Sequence, residues 1–396
     1  MKETKFKNTE IGKIPEEWKM YSIGKDCSVK ARIGWQGLTT SEYLQTGHYG
    51  LITSTDLIEG KVNWDTCVFV SEERYKQDTN IIVKNGDVLV SKDGTIGKVA
   101  VVSNLQYPTT LNSGVFVIRT KNEKITQEGL GLVFISPYFK DFIKRLTAGS
   151  TIVHLYQKDI VNFTFPIPTL PEQHHIASAL TSIDNLIFSL GKLIEKKKNI
   201  KQGTMQQLLT GQIRLKGFSE PWGEKKLEEV CSVKRGVRVV KRNLTTDGLY
   251  PVYQNTNFPL GYSNQYNVEA NTPFVIIGGS AGQVGICRER YWAADDCAFF
   301  ACHDIYKEYL YYVLLLNQSN ILHNVRTGTI PRLDRSFLSN MVVYISSNID
   351  EQQAIATILT KMDDEITALE AKRAKYEAIK QGMMQQLLTG KIRLIS

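Results

Sequence analysis

Between positions 234 and 242 the chain reads Lys234-Arg235-Gly236-Val237-Arg238-Val239-Val240-Lys241-Arg242, five basic residues among nine with no acid. Ammonium and guanidinium groups neutralise phosphate, and the arginine fork also matches the O6/N7 edge of guanine. The interleaved valines predict a strand or strand edge projecting Lys234, Arg235, Arg238, Lys241 and Arg242 together; a solvated face is the plainer alternative. The corresponding stretch of the first half is thinner and offers Lys30, Arg32, Trp35 and Gln36. Two glycine loops follow, Ser91–Lys98 and Gly278–Gln283. Both lie between strand-like runs and lack the strand-to-helix context of a dinucleotide or phosphate loop, so they predict tight hairpins. Their tips carry Lys92, Thr95 and Lys98 in one and Ser280 and Gln283 in the other, hydroxyl, amide and ammonium groups of the kind base edges and phosphates accept. Ser150 and Thr151, and Thr329 and Arg332, sit in the polar turn after each half's predicted helix, where they either hold phosphate or cap a turn.

Enzymatic constellations fail in turn. A DNA amino-methyltransferase needs an Asn/Asp-Pro-Pro-aromatic loop, and no two prolines are adjacent in this chain. Glu195-x-Lys197 and Glu370-x-Lys372 fall in helical segments rather than on a nuclease hairpin. Cys297, Cys302 and His303 lack a second pair at metal-ligand spacing, so buried thiols are expected instead. The sequence offers no catalytic constellation and no metal site.

The elements that must position these groups are written twice. Glu172-Gln173-His174-His175-Ile176-Ala177 recurs as Glu351-Gln352-Gln353-Ala354-Ile355-Ala356, and Met205-Gln-Gln-Leu-Leu-Thr-Gly-Gln-Ile-Arg-Leu215 as Met384-Gln-Gln-Leu-Leu-Thr-Gly-Lys-Ile-Arg-Leu394. The offset is 179 residues at both ends, from Glu172 to Glu351 and from Leu215 to Leu394. Ile176, Leu180, Ile183, Ile187, Leu190 and Ile194 alternate steps of four and three, as do Ile355, Leu359, Met362, Ile366 and Leu369, with Tyr376 extending the stripe. That is the seam of a coiled coil, and Gly211 and Gly390 stand as left-handed C-caps. One long helix cannot bury such a seam alone, so the two copies are expected to pack on each other. Lys196-Lys197-Lys198 lies beyond the first seam and reads as a solvated face, with a lesser role toward DNA as the alternative.

The segments ahead of the helices are related more distantly. Trp18 and Cys27–Lys30 match Trp222 and Cys231–Lys234; Gly97 matches Gly282 and Gly149 matches Gly328. The offset falls along the way, so about 25 residues of the first half have no counterpart in the second, as expected when loops carry different specificities on one frame. Strands are predicted at Thr66–Val70, Asp87–Ser91, Lys98–Val102 and Val115–Arg119, then a helix over Gln127–Leu146. The second half repeats this with strands at Thr272–Ile277, Gln283–Arg288, Cys297–Ala301 and Met341–Ile345 and a helix over Tyr306–Val325. The fold class is therefore α+β: two mixed α/β domains, 1–171 and 218–349, separated by helical spacers, 172–217 and 350–396, with an internal pseudo-two-fold. The 396 residues carry a net charge of +8, distributed as +3, +4, +1 and 0 over domain one, spacer one, domain two and spacer two. Any nucleic-acid surface must then be a local patch. The longest apolar run, Tyr309–Leu316, is too short for a membrane span. Six cysteines without paired spacing suit reduced thiols in the cytoplasm.

With Thr9-Glu-Ile-Gly-Lys-Ile-Pro-Glu-Glu-Trp18 added to the two helix starts and endings, the whole chain resembles the specificity subunit of type I restriction–modification systems. The resemblance implies a chain without catalysis or cofactor of its own that reads a split double-stranded DNA site, one half per domain. It also implies helices that set the spacer and dock two methyltransferase subunits and the restriction subunits, to which S-adenosylmethionine, ATP and Mg would belong. Two alternatives stay open: a coiled-coil adaptor that binds protein, and the specificity chain of a related system outside type I.

Overall fold

The strands of the first half build a six-stranded sheet in the order Cys27–Lys30, Val115–Thr120, Val88–Ser91, Val99–Val101, Gly60–Val62, Leu57–Ile58. Alternation sorts its side chains between two cores. Val88, Val90, Phe116 and Ile118 face a helical layer with Leu130, Phe134 and Phe139. Leu89, Val115 and Val117 face Ile52 and Leu111 of a small sheet, Thr109–Leu111, Tyr49–Ile52 and Val68–Val70. The second half repeats the plan with four main strands, Cys231–Arg235, Cys297–Cys302, Pro273–Ile276 and Val284–Ile286, beside a small sheet of Gly261–Ser263, Tyr250–Tyr253 and Trp292–Ala293. Leu57–Ile58 and Gly60–Val62 extend the first sheet past the strand where the second ends, which accounts for part of the length difference. This computed structural model describes residues 4–148, 154–240, 242 and 244–394, and leaves the Trp35 side chain aside. Ser150, Thr151 and Lys241 therefore lie outside the described residues.

Each predicted domain helix is in fact two. Gln127–Ile135 ends at Ser136, and Pro137, which lacks an N–H for the ladder, opens a second helix to Thr147. Lys307–Leu316 and Gln318–His323 likewise meet at Asn317.

Two long helices span Leu170–Leu209 and Ile349–Leu387. The chain divides into two units, residues 1–189 with 373–396, and residues 190–372. Each unit thus holds one domain with the start of one long helix and the end of the other. In the first unit Ile176 and Leu180 pack with Leu387 and Leu388, and Lys380 pairs with Asp184 at 2.7 Å. In the second, Ile355 and Leu359 pack with Leu208 and Leu209, and Lys197 and Lys201 pair with Glu365 and Asp363 at 2.7 and 2.5 Å. Partner numbers fall on one helix as they rise on the other, so the helices run antiparallel in each unit. No seam residue is exposed, whereas Leu186, Phe188 and Leu193 beside it are. The lysine run is not merely solvated, because Lys197 and Lys198 both make interhelical ion pairs.

The repeated polar residues lock each helix to its domain. Glu172, fully buried, accepts from the Trp18 indole at 3.0 Å and from the Arg393 guanidinium at 2.5 and 2.8 Å. Glu351, also fully buried, accepts from Trp222 at 2.9 Å and Arg214 at 2.6 and 2.9 Å, with Ser346 Oγ as a further donor. Burial alone raises the Glu351 carboxyl, but these donors outweigh it and hold it below the ordinary carboxylate range. The neighbouring glutamines do one job twice: Gln173 Oε1 accepts from Thr126 N and Gln352 Oε1 from Tyr306 N, at the N-caps of the helices Gln127–Ile135 and Lys307–Leu316. Gly211 and Gly390 take φ of 69° and 70°, as the C-cap reading requires. Beyond Gly390 the chain turns so that Arg393 reaches Glu172 and the Leu394 carbonyl faces His175.

Candidate nucleic-acid interface

In the second unit three separate segments meet around Ala294–Asp296. The main strand ends at Arg235, whose Nε donates to the Asp295 carbonyl at 2.7 Å. Gly236 follows with no room for a side chain against the Ala293 and Ala294 carbonyls, and Val237 N bonds Ala293 O at 2.9 Å. The basic run is therefore not one strand: Lys234 and Arg235 lie in it, whereas Arg238 and Arg242 are exposed on the irregular segment beyond. The hairpin Ile276–Gln283 places Ser280 N on Asn255 O and Gln283 Oε1 near Asn257 N. Arg332 pairs its backbone with Arg326 and forms a bridge to Gly278, so its side chain stands beside Asp296. Arg235 and Arg332 thus flank Asp295 and Asp296, while Ser280 and Gln283 lie on the hairpin whose Gly278 bridges Arg332. Thr329 lies exposed at the tip of the 326–332 turn.

The first unit repeats this frame at three backbone bonds. Gly97 N reaches Ser91 O at 2.9 Å as Gly282 N reaches Ile276 O at 2.7 Å, and both glycines are at positive φ. Lys92 N bonds Gly114 O as Ile277 N bonds Asp296 O, and Leu155 N bonds Lys92 O as Leu333 N bonds Ile277 O. Lys98 therefore corresponds to Gln283, Thr95 to Ser280 and His154 to Arg332. Thr95 is exposed, Lys98 is half-buried and Lys92 lies over the Phe116 ring at 5.6 Å. His154, which the sequence reading missed, sets Nδ1 2.6 Å from Asp93 Oδ1. The offset that links Gly149 to Gly328, 179, would set His154 against Leu333, so only the hydrogen bonds reveal the match to Arg332.

Two expected contacts are corrected. Arg32 is 1% exposed and its guanidinium bonds Leu111 O, Thr110 Oγ1, Gln77 and Arg74 O. It reaches the carbonyl that the Val237 amide serves in the second half, so it is a structural plug and not a DNA contact. Gln36 is buried with its Oε1 unpartnered. Lys30 remains exposed on its strand. Burial pushes the Cys231 and Cys302 thiols up to about 12, as befits packed thiols, and His303 faces the Glu229 carbonyl. Among the described residues no cluster has metal-ligand arrangement, and no helix is long and apolar enough to cross a membrane.

A family model described as the type I restriction modification DNA specificity domain matches residues 15–202 and 219–381. The chain belongs to this family. Each match begins near the start of a domain and runs into the long helix that follows, in keeping with the doubled frame. Over 218 residues the chain is 28% identical to the type I restriction enzyme MjaVIII specificity subunit of Methanocaldococcus jannaschii, covering 54% of this chain and half of that one. It is 24% identical over 431 residues to the putative MjaX specificity subunit of the same organism, covering 99% and 98%. A crystal structure of the type I restriction-modification S subunit from M. genitalium superposes with a TM-score of 0.67 at 17% identity, covering 93% and 96%. The α+β architecture with two long helices is that of the family.

Proposed function

We propose that this chain is the non-catalytic sequence reader of a type I restriction–modification complex. Residues 1–171 and 218–349 each read one half of a bipartite, asymmetric duplex site in the cytoplasm. The helical parts, 172–217 and 350–396, set the spacer. They also dock two methyltransferase subunits and the restriction subunits, and exposed Leu186, Phe188, Leu193 and Ile200 on the first helix supply apolar area for that purpose. The observation that carries the reading is one hydrogen-bonded frame built twice with different side chains at equivalent places, Thr95, Lys98 and His154 against Ser280, Gln283 and Arg332. A shared frame with divergent tips suits two half-sites of unlike sequence. Phosphate contacts come from Lys30, Lys92, Lys234, Arg235, Arg238 and Arg242, with Lys241, Ser150, Thr151, Trp35 and Thr329 completing the contact set. Selection of bound duplexes from a randomised pool, followed by titration at several salt concentrations, tests this. A bipartite consensus whose affinity falls steeply with salt is expected; absence of any enriched sequence would leave a protein-binding adaptor as the better reading.

A further inference from the structure

The place occupied by His154 in one unit and Arg332 in the other is the same point of the frame filled by different chemistry. Each residue directly precedes a leucine that bonds into the hairpin, Leu155 on Lys92 and Leu333 on Ile277. Each also forms a β-bridge to the third residue of that hairpin, Asp93 or Gly278. Resting on the DNA reading above, we propose that this position is a specificity determinant: Arg332 reads a guanine in the second domain's half-site, and His154 makes a different, single-bond choice in the first.

Four observations support the assignment. The Arg332 backbone is held to Arg326 by two hydrogen bonds of 2.8 and 3.1 Å, and Gly279 N bonds the Pro331 carbonyl, so the side chain leaves a fixed base. Its side chain is 60% exposed with Asp296 no nearer than 3.8 Å, which leaves the fork available for a bidentate contact. Asp296 still lies close enough to orient it. At the equivalent point His154 presents Nδ1 to Asp93, so only Nε2 can face a base, and a single ring nitrogen cannot make the paired contact of a guanidinium. A phosphate seat is the competing role, and the acids argue against it. Carboxylates beside both residues repel a phosphate, whereas a base edge carries no net charge.

The test uses the full-length chain and selection of bound duplexes from a randomised pool, with each variant's melting curve confirming the fold. Arg332→Lys keeps the charge and loses the fork. The expected result is loss of preference at one guanine of one half-site, by about 5- to 150-fold, the equivalent of one bidentate pair. The other half-site should be unchanged. His154→Arg, alone and with Asp93→Gly to copy the second unit, should add a guanine preference at one position of the other half-site. A consensus unchanged by Arg332→Lys overturns the assignment, as does a uniform loss of affinity that makes Arg332 a phosphate contact. A first half-site unchanged in both His154→Arg variants overturns the equivalence. Failure of the wild-type chain to enrich any sequence would instead overturn the DNA reading itself.

Discussion

Replacing Glu172 with alanine removes the shared acceptor of Trp18 and Arg393. The Arg393 side chain is only 6% exposed, so its charge is left buried with the exposed Glu17 carboxylate, at 2.9 Å, as its remaining acidic partner. Breaking a buried pair costs about 3–5 kcal/mol, and the surviving Glu17 contact places this variant toward the lower end. Glu351→Ala does the same to Trp222 and Arg214, but the Arg214 side chain is 30% exposed and water can take over part of the lost solvation. Its cost should fall nearer the about 1.5–3 kcal/mol of a charged hydrogen bond. Hydrogen exchange read peptide by peptide gives the opening free energy of each unit separately. Glu172→Ala should lower protection in the first domain and in residues 373–394 while leaving the second domain unchanged. Glu172→Ala with Arg393→Ala should cost less than the sum of the two singles, since the pair acts as one. Because the folded Glu351 carboxyl lies below its ordinary range, its stabilisation holds above about pH 4.3 and is lost as pH falls through the folded value. A Glu172→Ala cost below about 1 kcal/mol, as for an exposed ion pair, would refute the reasoning. Strict additivity of the double variant would do so as well.

Gly211→Ala and Gly390→Ala both place a side chain at positive φ, worth about 1–2 kcal/mol. Gly390→Ala should cost more in denaturant titrations, because its Cβ would overlap Pro15 where that of Gly211 finds Trp222 at 3.5 Å. Alanine at Arg235, Arg238, Lys241 and Arg242 together should weaken binding to all duplexes alike and flatten the salt slope by about one for each phosphate no longer neutralised; an unchanged slope removes the segment from the interface. A heptad inserted in both long helices, between Leu190 and Lys196 and between Leu369 and Lys375, adds about 10.5 Å at about 1.5 Å per residue. At roughly 3.4 Å per base step the selected spacer should then lengthen by up to about three base pairs. The original spacer in an active variant would show that the helices do not measure it.

The copies at 172–215 and 351–394 made the long helices, their seam and their glycine caps legible, because these depend on interactions within a turn or so of the chain. The hairpins and the main strands were legible for the same reason. The purpose of the repeated Glu, Gln, Arg and Trp was not. Glu172 meets Arg393 across 221 positions, a pairing that exists only once the chain end folds back on the first domain. Periodicity along a helix cannot register that contact.

The sequence by itself determined that the chain is a duplicated α+β protein with two long helices, and it marked the hairpin tips as candidate contacts. Only the tertiary structure decided which basic residues remain available. Arg32 and Arg332 look alike as letters, yet one is consumed by carbonyls of its own domain while the other stays exposed. Only the fold, too, set His154 against Asp93 and at the position equivalent to that of Arg332, since that correspondence rests on hydrogen bonds between segments far apart in the chain. The physical reason is the same in both cases. A side chain's type fixes what it can bind, but the desolvation and the competing partners that long-range packing brings fix what it is left to bind.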